Sequence, residues 1–134
     1  MSLLLALLLL NSLLLGNVVA SPTALTNRAA NSDADQYLAA HNNFRARHGA
    51  KALTWNGDLA NKAQQWANRC VFEHSEGQLG PYGENLAAGT GNFDIPAAVK
   101  TWTDESSQYN PNNPVPSHFT QVMWPMNSVS LHVF

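Results

Sequence analysis

Cysteine is nearly absent: the 134-residue chain has one, Cys70. A single thiol cannot close a disulfide within the chain, so the usual staple of a small exported domain is missing. Charge is also scarce, with seven basic and nine acidic residues. Without a basic surplus the chain has nothing to hold a phosphate backbone, which argues against nucleic acid as a partner. No Asn-x-Ser/Thr sequon occurs, so N-glycosylation is not expected. No His-Glu-x-x-His pair occurs, and Gly77, Gly80 and Gly83 are not followed by the Lys-Ser/Thr of a phosphate loop. These glycines read as turn formers. Internal repeats, heptads and acidic tails are likewise missing.

What is present is apolar. Hydrophobic residues make up 45% of the chain, which excludes low-complexity disorder. Every Trp, Tyr and Phe lies after residue 20, enough for the core of one small domain. The first 20 residues hold ten Leu and no charge. Their run is broken at Asn11-Ser12, too short for a membrane span of about 20 residues. It ends in Val18-Val19-Ala20, small residues where a signal peptidase reads. Residues 1–20 therefore read as a cleaved secretory signal. The mature protein is expected outside the cell, with no integral span.

Residues 21–33, rich in Ala, Asn, Ser and Thr, read as a flexible lead-in. A first helix is predicted from Ala34 to Arg47, capped by Ser32 or Asp33 and stopped by Gly49. Its stripe is Tyr37, His41, Phe44 and His48. A second helix starts near Asp58 and carries Leu59, Ala63, Trp66, Ala67 and Cys70 on one face, which would bury the thiol. Trp55, Trp66 and Trp102 read as core. Glu84 to Ala88 suits a short strand. In Asp94-Ile95-Pro96, Asp caps a third helix and Pro fits its first turn, followed by the stripe Ile95, Ala98, Val99 and Trp102. Three prolines between Pro111 and Pro116 forbid regular structure there. Ser117 caps a helix over His118 to Trp124, and residues 125–134 form a tail with a weak alternation at Val129, Leu131 and Val133.

Glu105 is the most informative carboxylate. Three residues after Trp102, it points toward the apolar face, where an unpaired carboxylate is costly. Its candidate partners are His74, Glu84 and His118. Two His and two carboxylates suit a divalent metal or an imidazole–carboxylate cluster, but spacing alone leaves open that they are independent surface or capping groups. Ser75 directly follows His74, and sequence neighbours do not present a nucleophile to its base.

Seven ordered motifs carry a resemblance over about residues 35 to 124. They are His41-Asn42-x-x-Arg45, Leu53-x-Trp55-x-x-x-Leu59-Ala60, Ala63-Gln64-x-Trp66-Ala67, Cys70-x-Phe72-x-His74-Ser75, Tyr82-Gly83-Glu84-Asn85-Leu86, Trp102-x-x-Glu105 and His118-Phe119-Thr120-Gln121-Val122-x-Trp124. The series resembles the CAP superfamily of cysteine-rich secretory proteins, antigen five and pathogenesis-related group-one proteins, nearest its fungal secreted branch. The resemblance implies an α+β fold, a three-layer α-β-α sandwich, with the CAP domain over residues 34–124. It implies a cavity lined by His74, Glu84, Glu105 and His118, with a weakly held zinc-like divalent cation and no required cofactor. It further implies a non-catalytic binder of sterols or fatty acids. The ligand loop would be Tyr109, Asn110, Pro111, Asn112, Asn113, Pro114, Val115, Pro116 and Ser117. An extracellular interaction protein without a small ligand and a metal-dependent hydrolase are the alternatives.

The sequence departs from that pattern after Trp124. The family's Gly-Cys strand and Pro-Pro-Gly-Asn-like motif do not follow, and residues 125–134 diverge. The fold is therefore expected to be incomplete, with a non-functional product as a further alternative and Cys70 lacking the cysteine it would pair with.

Overall fold

The computed structural model describes the backbone of residues 22–125 and 131–133, and the side chains of 33–125. The expected signal segment lies outside the described residues, as do residues 126–130 and 134 of the tail. The described residues form four helices and a two-stranded parallel sheet: α1 (Pro22–Arg47), α2 (Gly57–Ala67), β1 (Glu84–Leu86), α3 (Ile95–Asp104), α4 (His118–Met123) and β2 (Leu131–Val133). A 3-10 turn, Glu105–Gln108, follows α3 directly. The architecture is mixed helix and strand, with little strand.

Helix α1 corrects the first expectation. It begins at Pro22 rather than Ala34, so most of the expected flexible lead-in is helical. Pro22 is tolerated because a first-turn residue needs no amide hydrogen. Ala, Leu and Arg follow without an interrupting Gly or Pro, so a cap signal at Ser32-Asp33 does not stop the helix. The end is where Gly49 puts it, at φ 70.

Helix α2 starts as its residues require, with Asn56 Oδ1 accepting from the amides of Asp58 at 3.0 Å and Leu59 at 3.2 Å. It ends three residues earlier than the stripe suggested. Cys70 therefore lies beyond the helix, in a left-handed conformation at φ 55, and is exposed. The expected burial of this thiol is overturned, because helical periodicity stops counting once the helix stops. The Arg69 guanidinium closes this end by stacking 4.0 Å from the Trp66 ring centre.

The core forms where α1, α3 and α4 meet. Ala98, Val99, Trp102, Val122 and Ala87 are buried, with Ala40, Phe44, Phe93 and Ile95 packed against them. The indole of Trp102 donates to the Leu86 carbonyl at 3.0 Å, tying α3 to β1. Trp66 and Leu86 form a second cluster. Trp55 departs from its expected place: it is 45% exposed and stacks on Tyr37 at 5.9 Å. His41 is buried and His48 is exposed, its ring 4.5 Å from that of Phe44.

Helices α3 and α4 lie between two strands that pair in parallel, Glu84 opposite Leu131 and Leu86 opposite Val133. Parallel neighbours need such a long crossover. The tail thus contributes a strand.

Candidate functional site

Each wall of the site begins with a local rule. Asp94 caps α3 by accepting from the Ala97 amide at 2.9 Å, and Pro96 occupies the first turn. The helix then runs to Asp104 and tightens into the 3-10 turn, which starts at Glu105. Glu105 thus stands just past the helix end rather than on its apolar face. Ser117 caps α4 reciprocally: its hydroxyl accepts from the Thr120 amide at 3.2 Å, while the Thr120 hydroxyl accepts from the Ser117 amide at 2.7 Å. That box places His118 at the first turn of α4, facing Glu105.

Two imidazole–carboxylate pairs result. His118 Nδ1 lies 2.7 Å from Glu105 Oε1, and the second oxygen of Glu105 accepts from the Phe119 amide at 3.2 Å. His74 Nδ1 lies 3.2 Å from Glu84 Oε2. Glu84 also accepts from the Ser75 amide at 2.8 Å and from the Ser75 hydroxyl. Burial pushes the Glu84 carboxyl up, but donation by Ser75 and His74 outweighs it and holds the group below its ordinary value. Burial acts likewise on Glu105, and donation by His118 and the Phe119 amide again lowers it.

All four residues line one pocket of about 670 Å³. Of the expected ligand loop, Tyr109, Val115, Pro116 and Ser117 also line the pocket, whereas Asn110, Pro111, Asn112, Asn113 and Pro114 do not. Val115 is exposed, as is part of Tyr109. Asn85, Gln108 and Gln121 complete the polar lining.

The metal expectation meets a limit here. The donor types suit zinc, yet among the described residues no three His, Cys, Asp or Glu side chains come together as a ligand group. Each carboxylate is engaged by its own imidazole. Among the described residues the four side chains do not make a closed four-ligand site.

Three residues of the site's frame have roles that the sequence did not indicate. Asn85 is 1% exposed and donates from Nδ2 to the His118 carbonyl at 3.1 Å. Ser75 is fully buried and serves Glu84. Arg45, 1% exposed, donates to the Val122 carbonyl at 2.6 Å and the Trp124 carbonyl at 3.1 Å, holding the end of α4. Their signal was their place inside the ordered motifs. Gly83 has a spatial role, since a Cβ there would overlap the side-chain amide of Gln121.

A family model described as "CAP: Cysteine-rich secretory protein family" matches residues 38–130. The chain belongs to the CAP family. It is 44% identical to fruiting body protein SC7 of Schizophyllum commune over 109 residues, covering 75% of this chain and 51% of that protein. It is 42% identical to fruiting body protein SC14 of the same fungus, covering 74% of this chain and 47% of that protein. Pathogenesis-related protein 1A of Nicotiana tabacum is 44% identical over 113 residues, covering 76% of this chain and 64% of that protein. The chain thus spans about half the length of the two fungal CAP relatives. Among its described residues no helix is long and apolar enough to cross a membrane.

Proposed function

We propose that this CAP chain is an exported, non-enzymatic binder of a small hydrophobic molecule of the sterol type, working outside the cell. The observation that carries the reading is the pocket itself. Its volume, about 670 Å³, falls in the range of roughly 300–1,000 Å³ common for small-molecule sites. Its lining mixes polar groups with Tyr109, Val115 and Pro116. A ligand with one polar end and an apolar body matches that mixture.

Export is supported by the leading Leu-rich segment that ends in Val18-Val19-Ala20, and by the secretory description of the family. The absence of catalysis is supported by the engagement of the reactive groups. Ser75 is buried against Glu84, and both carboxylates are held in their ionised form by donors. Neither is poised as a general acid near neutral pH. The finer architecture we propose is the α-β-α sandwich, supported by the family match.

The exposed Val71 and Phe72 favour a second reading, an extracellular interaction protein with no small ligand. One experiment separates the two. The chain is exported from a fungal host, purified without detergent, and titrated with a fluorescent sterol while its organic extract is analysed by mass spectrometry. Saturable sterol binding, or a retained lipid, is expected. Absence of both overturns the ligand reading and leaves the interaction reading.

A further inference from the structure

The two imidazole–carboxylate pairs are held by different parts of the fold. His118 stands on α4 and Glu105 on the turn after α3, beside the core residues Trp102 and Val122. His74 and Ser75 lie instead in residues 68–83, which form neither helix nor strand. A stretch without ladder hydrogen bonds opens readily unless contacts from outside tie it down. Helix α2 supplies such ties from two residues one turn apart. Trp66 donates from Nε1 to the Glu73 carbonyl at 2.8 Å, directly before His74. Lys62 donates from Nζ to the Leu79 carbonyl at 2.9 Å and to the Tyr82 hydroxyl at 3.2 Å. Residues four apart share a helix face, so both ties come from one side of α2.

Between the two ties the chain turns back on itself, the Gln78 amide donating to the Ser75 carbonyl at 2.9 Å. The tie at Leu79 thus bears on the turn that begins at Ser75. Hydrogen bonds from an ammonium are the stronger kind, and Lys62 is half-buried yet does not line the pocket. We infer that Lys62 is a positioning residue: by holding residues 79–82 it fixes the loop that brings His74 and Ser75 onto Glu84, and so sets the affinity of the pocket without touching its ligand. Glu84 itself belongs to β1 and is kept in place by pairing with Leu131, so the effect falls on its partners. The effect on affinity rests on the reading of this pocket as a small-molecule site; the hold on the loop does not.

The test follows two matched amides in the full chain. The Ser75 amide donates to Glu84 at 2.8 Å and the Phe119 amide to Glu105 at 3.2 Å. Their hydrogen exchange, read by NMR, therefore reports on each pair separately. Lys62→Met is expected to speed exchange at Ser75 about tenfold and leave Phe119 unchanged, with Lys62→Arg close to the parent. Affinity for the fluorescent sterol should fall about threefold to tenfold in Lys62→Met and return in Lys62→Arg. Unchanged Ser75 exchange in Lys62→Met overturns the assignment. So does equal acceleration at both amides, which would mean that Lys62 only supports the fold, and so does faster Ser75 exchange with sterol affinity intact. If the parent chain binds no sterol, the ligand reading fails, and the amide comparison still decides whether Lys62 holds the loop. If Lys62→Met does not fold, Tyr82→Phe removes only the hydroxyl and should speed exchange at Ser75 alone, by a smaller factor; an unchanged Ser75 amide there overturns the assignment equally.

Discussion

Arg45 of α1 donates from Nη1 to the carbonyl oxygen of Val122 at 2.6 Å, across 77 residues of chain. The same nitrogen reaches the Trp124 carbonyl at 3.1 Å, and Nε reaches that of Lys51 at 2.8 Å. The last carbonyls of a helix have no partner within it, so a buried guanidinium here serves as the cap of α4. Because α4 carries His118 into the pocket, this contact also sets the site. Replacement of Arg45 by Met keeps much of the stem but leaves these carbonyls without their donor. A loss of about 2–4 kcal/mol is expected in urea unfolding. Arg45→Lys should lose less, since it keeps one donor head. A change below about 0.5 kcal/mol for Arg45→Met would show that water replaces the guanidinium freely.

The sequence was most informative where a single residue decides a local structure. Asp94 with Pro96 fixes the start of α3, and Ser117 fixes the start of α4. Periodicity was less faithful at element ends. It placed Cys70 inside because Leu59, Ala63 and Trp66 set a phase, but the phase has no meaning beyond Ala67. Nor could the helical run before Ala34 be told from a loop, since Ser, Asn and Asp serve both caps and helix interiors. The site was legible in part from chemistry: Glu105 needed a partner, and His118 is that partner. The family likeness puts His74 and Glu84 in one cavity, but their direct contact is seen only in the folded chain. Ser75 and Arg45 escaped because their roles depend on contacts that only the folded chain creates.

The exposed thiol yields a simple prediction. Cys70 is exposed, and its sulfur lies 3.8 Å from the Asn68 carbonyl. It should label within minutes with a maleimide under native conditions and form disulfide-linked dimers on a non-reducing gel. Cys70→Ser should abolish the dimer and change stability by less than about 0.5 kcal/mol, as exposed substitutions do. Slow labelling of a monomeric protein would mean that the thiol is covered in solution.

Zinc offers a third test. With no three ligands gathered among the described residues, zinc affinity at His74 and His118 is expected to be weak. Calorimetry should show binding that disappears in the His74→Ala/His118→Ala double variant. Metal and proton compete for an imidazole nitrogen, so the signal should weaken on acidification. Zinc affinity that survives in the double variant would place the metal elsewhere.

The carboxylates set the acid limit of the fold. Glu84 and Glu105 both have lowered pKa values, because donation from Ser75, His74, His118 and the Phe119 amide outweighs the effect of burial. The unfolded chain therefore takes up protons at higher pH than the native one. Stability from these groups is fully present above the ordinary Glu value of about 4.3 and is lost as pH falls through their native values. Melting temperature should be flat with respect to these two groups through neutral pH and decline on acidification below that point. Glu84→Gln is expected to be the more damaging substitution, since Glu84 serves Ser75 twice as well as His74, and its side chain is 8% exposed against 31% for Glu105. Both variants should melt lower than the parent at pH 7 and show a shallower acid decline, because the group that titrates has been removed. An acid decline of unchanged steepness in the double Gln variant would assign it to other carboxylates.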